Sequence, residues 1–129
     1  MHTLSQSDFV AELKRAWPRV GEASGSVLKL ADEAATAWPQ SVEILRLKAA
    51  LLQLAPESSG RTLDEAAECY KRALAVDPQD VETLEDLAHF HDAVLDDKSG
   101  AQRYFARANE ERQRLGMPPN TSFERTHEG

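Results

Sequence analysis

The chain has 129 residues, 41% of them hydrophobic and 29% charged, which fits one globular domain and excludes a disordered composition. Its formal net charge of −7 at neutral pH repels phosphate backbones, so no nucleic-acid partner is expected and basic segments of other proteins fit better. The single cysteine, Cys69, allows no internal disulfide, no apolar run approaches the roughly 20 residues a bilayer requires, and residues 1–8 lack the features of a signal peptide. A cytoplasmic protein with no membrane partner is expected.

Alanine and leucine dominate the apolar residues, a balance that favours helix over sheet. Residues 1–6 are expected to be disordered. The first helix spans about 8–17, with Ser7 or the pair Ser5-x-x-Asp8 as its cap and Pro18 at its end. Residues 21–26, Gly-Glu-Ala-Ser-Gly-Ser, read as a loop, and a second helix over 27–37 stops before Pro39. Ser41 caps a third over 42–54, whose apolar stripe is Leu45, Ala49 and Leu52 with Leu51 and Leu54 adjoining. Residues 55–61 break the pattern. Thr62-x-x-Glu65 then forms a capping box: the hydroxyl accepts one orphan backbone N–H and the glutamate reaches back to another. The fourth helix continues to about Val76 and ends at Asp77-Pro78. Asp80 caps a fifth over 81–95, and Asp96-Asp97-Lys98 makes the turn. Ser99-x-x-Gln102 reads as a second capping box, opening a sixth helix that Leu115-Gly116 stops. Residues 116–129 form a flexible tail in this reading, leaving 7–115 as the folded domain. Short connections imply antiparallel hairpins in chain order, and nothing alternates with period two, so no sheet is expected.

Two stretches repeat. Pro39-Gln40-Ser41-Val42-Glu43-Ile44-Leu45 aligns with Pro78-Gln79-Asp80-Val81-Glu82-Thr83-Leu84 at an offset of 39 residues, and Ala49 then aligns with Ala88. The run Ala66-x3-Tyr70-x2-Ala73-x4-Pro78 is matched by Ala101-x3-Phe105-x2-Ala108, while Val27-x3-Ala31-x2-Ala34-x4-Pro39 keeps the spacing without the aromatic. Alanines let helices approach closely, the aromatic fills the gap between hairpins, and proline ends the helix. This pattern resembles the tetratricopeptide repeat, whose period is about 34 residues. The middle unit departs from it by about five extra residues in its internal turn. The last has Gln113 where proline is expected. The resemblance implies an all-α fold of about six antiparallel helices, stacked as three hairpins in a short right-handed superhelix. Its concave face, made by the first helix of each hairpin, commonly holds an extended peptide.

Charge on the fifth helix is the sharpest candidate feature. Asp80, Glu82, Glu85, Asp86, Asp92, Asp96 and Asp97 are uninterrupted by lysine or arginine. By the resemblance, Glu82, Glu85, Asp86, His89 and Asp92 line the groove, where low-dielectric walls strengthen attraction for a basic peptide. Arg46 and Gln53 on the third helix complete the candidate partner-binding set. The same acids also suit a solvated helix face, with the N-terminal ones favoured by the helix dipole. By the resemblance, Arg46 is the only base at a clamp position of the first helices, beside Glu43, Leu47 and Ala50, which argues against a clamp for C-terminal carboxylates.

Other residues point to packing. His89 and His91, two apart on a helix, face different ways and do not share a metal, so no metal or cofactor is expected. Cys69 reads as a small semi-buried side chain, and Trp17 and Trp38, each before a proline, as edges of the core. No phosphate loop, nucleophile elbow or zinc spacing appears, so no enzyme is expected. The tail Pro119-Asn120-Thr121-Ser122-Phe123-Glu124-Arg125-Thr126 resembles tails of bacterial proteins from integron gene cassettes, which implies a bacterial accessory protein. The expected function is a non-catalytic module binding a basic peptide or protein. The alternative is a structural homo-oligomer, such as a homodimer, associating through an exposed helix face with no peptide ligand.

Overall fold

Helices begin where a short polar side chain can take the first unpaired backbone N–H groups. A computed structural model describes residues 4–121 and contains, among them, six α-helices and no strand. Helix α1 (Gln6–Arg15) opens on a reciprocal box in which Ser5 Oγ accepts from Asp8 N and the Asp8 carboxylate accepts from Ser5 N. Helix α2 (Gly25–Ala37) is capped by Ser24 and α3 (Val42–Gln53) by the buried Ser41. A 3-10 turn over Glu57–Ser59 closes at Gly60, whose φ of 74° is the left-handed conformation glycine adopts without strain. Helix α4 (Leu63–Val76) opens on the Thr62/Glu65 capping box and α5 (Val81–Ala93) on Asp80. Helix α6 (Lys98–Arg114) ends before Gly116, also left-handed.

Several boundaries differ from the sequence expectation. Residues 4–6, expected to be disordered, are held: the Ser5 box starts α1 at Gln6, and the Leu4 carbonyl accepts from Trp38 Nε1 at 3.0 Å. Gly25 and Ser26, expected in a loop, form the first turn of α2 because Ser24 supplies the cap. Helix α5 stops at Ala93, since Val94 N and Leu95 N both donate to Phe90 O and Asp96 turns left-handed at φ 50°. The cap of α6 is Asp97, not Ser99: the Asp97 carboxylate accepts from Gly100 N at 3.0 Å. Residues 1–3 of the expected disordered start and residues 122–129 of the tail lie outside the described residues.

The chain divides after Asp77 into two compact units. In the first, α2 packs on α3, α3 on α4, and α1 on both α2 and α3. Its core holds Leu13, Val27, Ile44, Leu45 and Leu51, all essentially inaccessible to solvent. Each contributes about 1.5–3 kcal/mol relative to exposure. Trp17 is half-buried and Trp38 lies at the edge. In the second, α5 packs on α6 around Leu84, Leu87, Phe90 and a cluster of Ala88, Ala101 and Phe105, with Tyr104 against it.

The aligned positions have matching roles inside the two units. Ser41 and Asp80 both cap, while Ala49 and Ala88, Ala66 and Ala101, Tyr70 and Phe105, and Ala73 and Ala108 are buried in pairs of like kind. Ala49, Ala66, Ala73, Ala88, Ala101 and Ala108 are all 0% exposed, so small side chains are used where the helices are fully covered by their neighbours.

Candidate partner-binding face

The seven candidate residues divide between the units. Arg46 and Gln53 belong to the first, both half-buried on α3. Gln53 is engaged inside its own hairpin, its Nε2 donating to Tyr70 Oη at 3.1 Å and to Ala49 O at 3.4 Å. Glu82, Glu85, Asp86, His89 and Asp92 belong to the second and recur at helical spacing along α5. Glu82 and His89 are exposed, while Glu85, Asp86 and Asp92 are half-buried.

Glu85 is not an open acid. Both carboxylate oxygens are taken by Arg112 of α6, at 2.7 Å from Nε and 2.9 Å from Nη2, and Asn120 Nδ2 donates to Oε2 at 2.9 Å. The Glu85 and Arg112 side chains are only 12% and 18% exposed. Burial is the largest influence on Glu85 and pushes its carboxyl up. The Arg112 and Asn120 hydrogen bonds and the Arg112 charge together outweigh it and hold the group below the usual glutamate range. A fork-shaped guanidinium matching a carboxylate is the strong form of this contact. Further along α5, Asp92 lies 3.7 Å from Lys98 Nζ, and the His89 ring meets Phe105 edge-on with centroids 5.2 Å apart.

What the sequence reading missed is the chain after α6. Gly116 reverses its direction and Met117 N donates to Arg112 O at 2.8 Å. Arg112 Nη1 donates to Pro118 O at 3.3 Å. Asn109 then takes both main-chain groups of one residue, its Oδ1 accepting from Asn120 N at 2.9 Å and its Nδ2 donating to Asn120 O at 3.4 Å. Residues 117–120, expected to be flexible tail, are therefore laid back against α6 and reach Glu85 on α5. Asn109, Arg112 and Asn120 lie 24 or more residues from Glu85, so no local spacing could have announced the site.

Two other polar clusters hold helices together. In the first unit Arg61 donates to both oxygens of Asp32, at 2.9 and 3.0 Å, and to Glu65 at 2.8–3.3 Å, while Lys48 approaches Asp32 at 3.2 Å. The Asp32 bond, then the Glu65 bond, raise Arg61 further above its already high range. Arg61 in turn holds Glu65 low. Asp32 also ends below its ordinary value, although burial is the largest influence and opposes the Arg61 and Lys48 bonds. In the second unit His91 Nδ1 sits 2.9 Å from Asp97 Oδ2, with its ring 5.0 Å from that of Tyr104. The Gly100 N–H first, then His91, hold the Asp97 carboxyl low. A Cβ at Gly100 would strike the Asp97 carboxylate and stand 2.7 Å from His91 Nδ1, so a larger residue here must displace the Asp97 cap and its histidine partner.

Cys69 is buried, and burial pushes its thiol up, away from the reactive thiolate. Among the described residues no group of three or more His, Cys, Asp or Glu side chains is placed to hold a metal ion. No described helix is long and apolar enough to cross a membrane. Compared with protein-family models, with curated proteins and with solved structures, the chain matches none.

Proposed function

We propose that the chain is a non-catalytic, cytoplasmic protein-binding module of tetratricopeptide-like hairpins, and that the α5/α6 face receives an extended, basic peptide segment. The observation that carries this reading is the two-point pairing of Asn109 with the main chain of Asn120. A side-chain amide that offers an acceptor and a donor to one backbone residue reads an extended chain whatever its side chains, which is how peptide-recognition surfaces gain affinity. That Ala49 and Ala88, and Tyr70 and Phe105, are each buried within their own units supports the repeat. Positive charge in the partner is favoured by the net acidity of α5, which carries acids along its length and no lysine or arginine.

The test is a positional-scanning array of extended peptides probed with the full chain at low and high salt, beside Asn109→Ala and Glu82→Lys/Asp86→Lys variants. The expected result is salt-sensitive retention of lysine- and arginine-bearing peptides, weakened by either variant while helicity is unchanged. An array equally populated for wild type and both variants would remove this face from the reading. The second reading, self-association, is favoured by Leu95, Leu115 and Met117, which are 40–53% exposed. A mass that rises with concentration in sedimentation would move it ahead.

A further inference from the structure

We infer that the α5/α6 face selects a carboxamide side chain, and that residues 117–120 are its resident ligand, folded back in cis and displaceable by an extended segment with asparagine at the same place. This deepens the reading above and rests on it. Three groups of Asn120 are engaged: its N–H and C=O by Asn109, and its side-chain Nδ2 by Glu85 Oε2 at 2.9 Å. The first two are blind to side-chain identity. The third is not, because Glu85 can only accept when ionised, and Arg112 keeps it ionised in a site where its side chain is 12% exposed.

Asn109 fixes where the ligand backbone lies, so the distance to Glu85 is spanned by a side chain of asparagine length ending in N–H donors. An aspartate there has the same shape but sets oxygen against oxygen, charge against charge. An alanine leaves the Glu85 oxygen without that donor. The preceding Pro118-Pro119 lack N–H groups and have φ fixed by their rings, so they present Asn120 on an extended lead with little entropy to lose. Both prolines are exposed, Met117 is 40% exposed and Asn120 is half-buried, so no residue of the strap is sunk in the core. Such a hold can be exchanged.

The experiment uses the full chain as wild type, Asn120→Asp and Glu85→Gln. It adds a synthetic, end-blocked peptide with the sequence of residues 116–121, Gly-Met-Pro-Pro-Asn-Thr, and a second peptide with aspartate in place of the asparagine. Amide NMR reads the Asn109 side chain and the backbone of residues 117–120, and a titration gives affinities. In Asn120→Asp the strap should release, with its amides moving to unstructured shifts while the helix signals stay in place. That variant should then bind the asparagine peptide about tenfold or more tighter than the aspartate peptide, the worth of one hydrogen bond to a charged group. The wild type, its site filled in cis, should bind the asparagine peptide more weakly than the variant does. In Glu85→Gln the preference for asparagine should collapse, which packing alone would not produce.

A strap that stays in place in Asn120→Asp, or two peptides bound alike, overturns carboxamide selection while leaving peptide reception intact. If neither peptide binds the released variant, the displaceable-ligand proposal falls. A blank peptide array beside that result would take the functional reading with it.

Discussion

Replacing Arg112 by methionine tests the electrostatics of the second unit most directly. The side chain keeps much of its packing volume, but the two bonds to Glu85, at 2.7 and 2.9 Å, disappear. A carboxylate 12% exposed is left with the Asn120 amide as its remaining donor among the bonds described above. Breaking one side of a fully buried ion pair costs about 3–5 kcal/mol; with some solvent still reaching both groups, about 2 kcal/mol is expected at neutral pH. The sign of the pH dependence separates this from a packing effect. In the wild type the folded Glu85 pKa lies below its unfolded value. Its contribution is therefore fully present above the unfolded value of about 4.3 and is lost as pH falls through the lower folded one. Without Arg112, burial prevails and the folded pKa rises, so the contribution becomes a penalty that is complete at neutral pH and fades on acidification. Urea unfolding followed by far-ultraviolet circular dichroism should therefore show the two proteins differing at pH 7 and converging toward pH 4. A gap of constant size across that range would refute the argument that Arg112 acts by keeping Glu85 charged.

Other perturbations probe other parts of the reasoning. Ala88→Leu should destabilise by about 1–3 kcal/mol in urea unfolding, because Ala88 is fully buried against Ala101 and Phe105 and the added carbons must displace those neighbours; wild-type stability would mean that the helices can separate freely. Thr62→Ala removes the acceptor of the Glu65 N–H and should cost about 1 kcal/mol, whereas an unchanged midpoint would show that another group caps α4. Arg61→Lys keeps the charge but loses the fork shared by Asp32 and Glu65. Since those carboxylates are 41% and 39% exposed, the loss should be under about 1 kcal/mol and should shrink in high salt. Cys69 should react with a thiol reagent only as fast as the first unit opens, so labelling should accelerate with urea, and prompt reaction in native buffer would contradict its burial.

The helices were legible because their starts are written locally. Ser5, Ser41, Thr62 and Asp80 each stand just before an apolar-periodic run, and each is a cap in the structure. Asp97 was misread for a physical reason. Ser99-x-x-Gln102 satisfies the same local grammar, but Asp97 is also held by His91 from the preceding helix, a contact no pattern within α6 contains. The candidate face was half legible. The α5 acids could be named from spacing, whereas the engagement of Glu85 depends on Arg112 and Asn120, 27 and 35 residues further on. A run of like charge on one helix says nothing about what the next helix brings to it.

The placement of the aromatic residues gives the molecule a built-in optical division. Both indoles, Trp17 and Trp38, belong to the first unit, and the second has Tyr104 as its single phenol. Selective tryptophan emission therefore watches one unit, while the ellipticity of the backbone watches both. Because the Trp38 indole N–H is given to the Leu4 carbonyl, the same emission registers whether the start of the chain stays docked. Two recordings on one unlabelled sample thus tell unfolding of the first unit from unfolding of the whole.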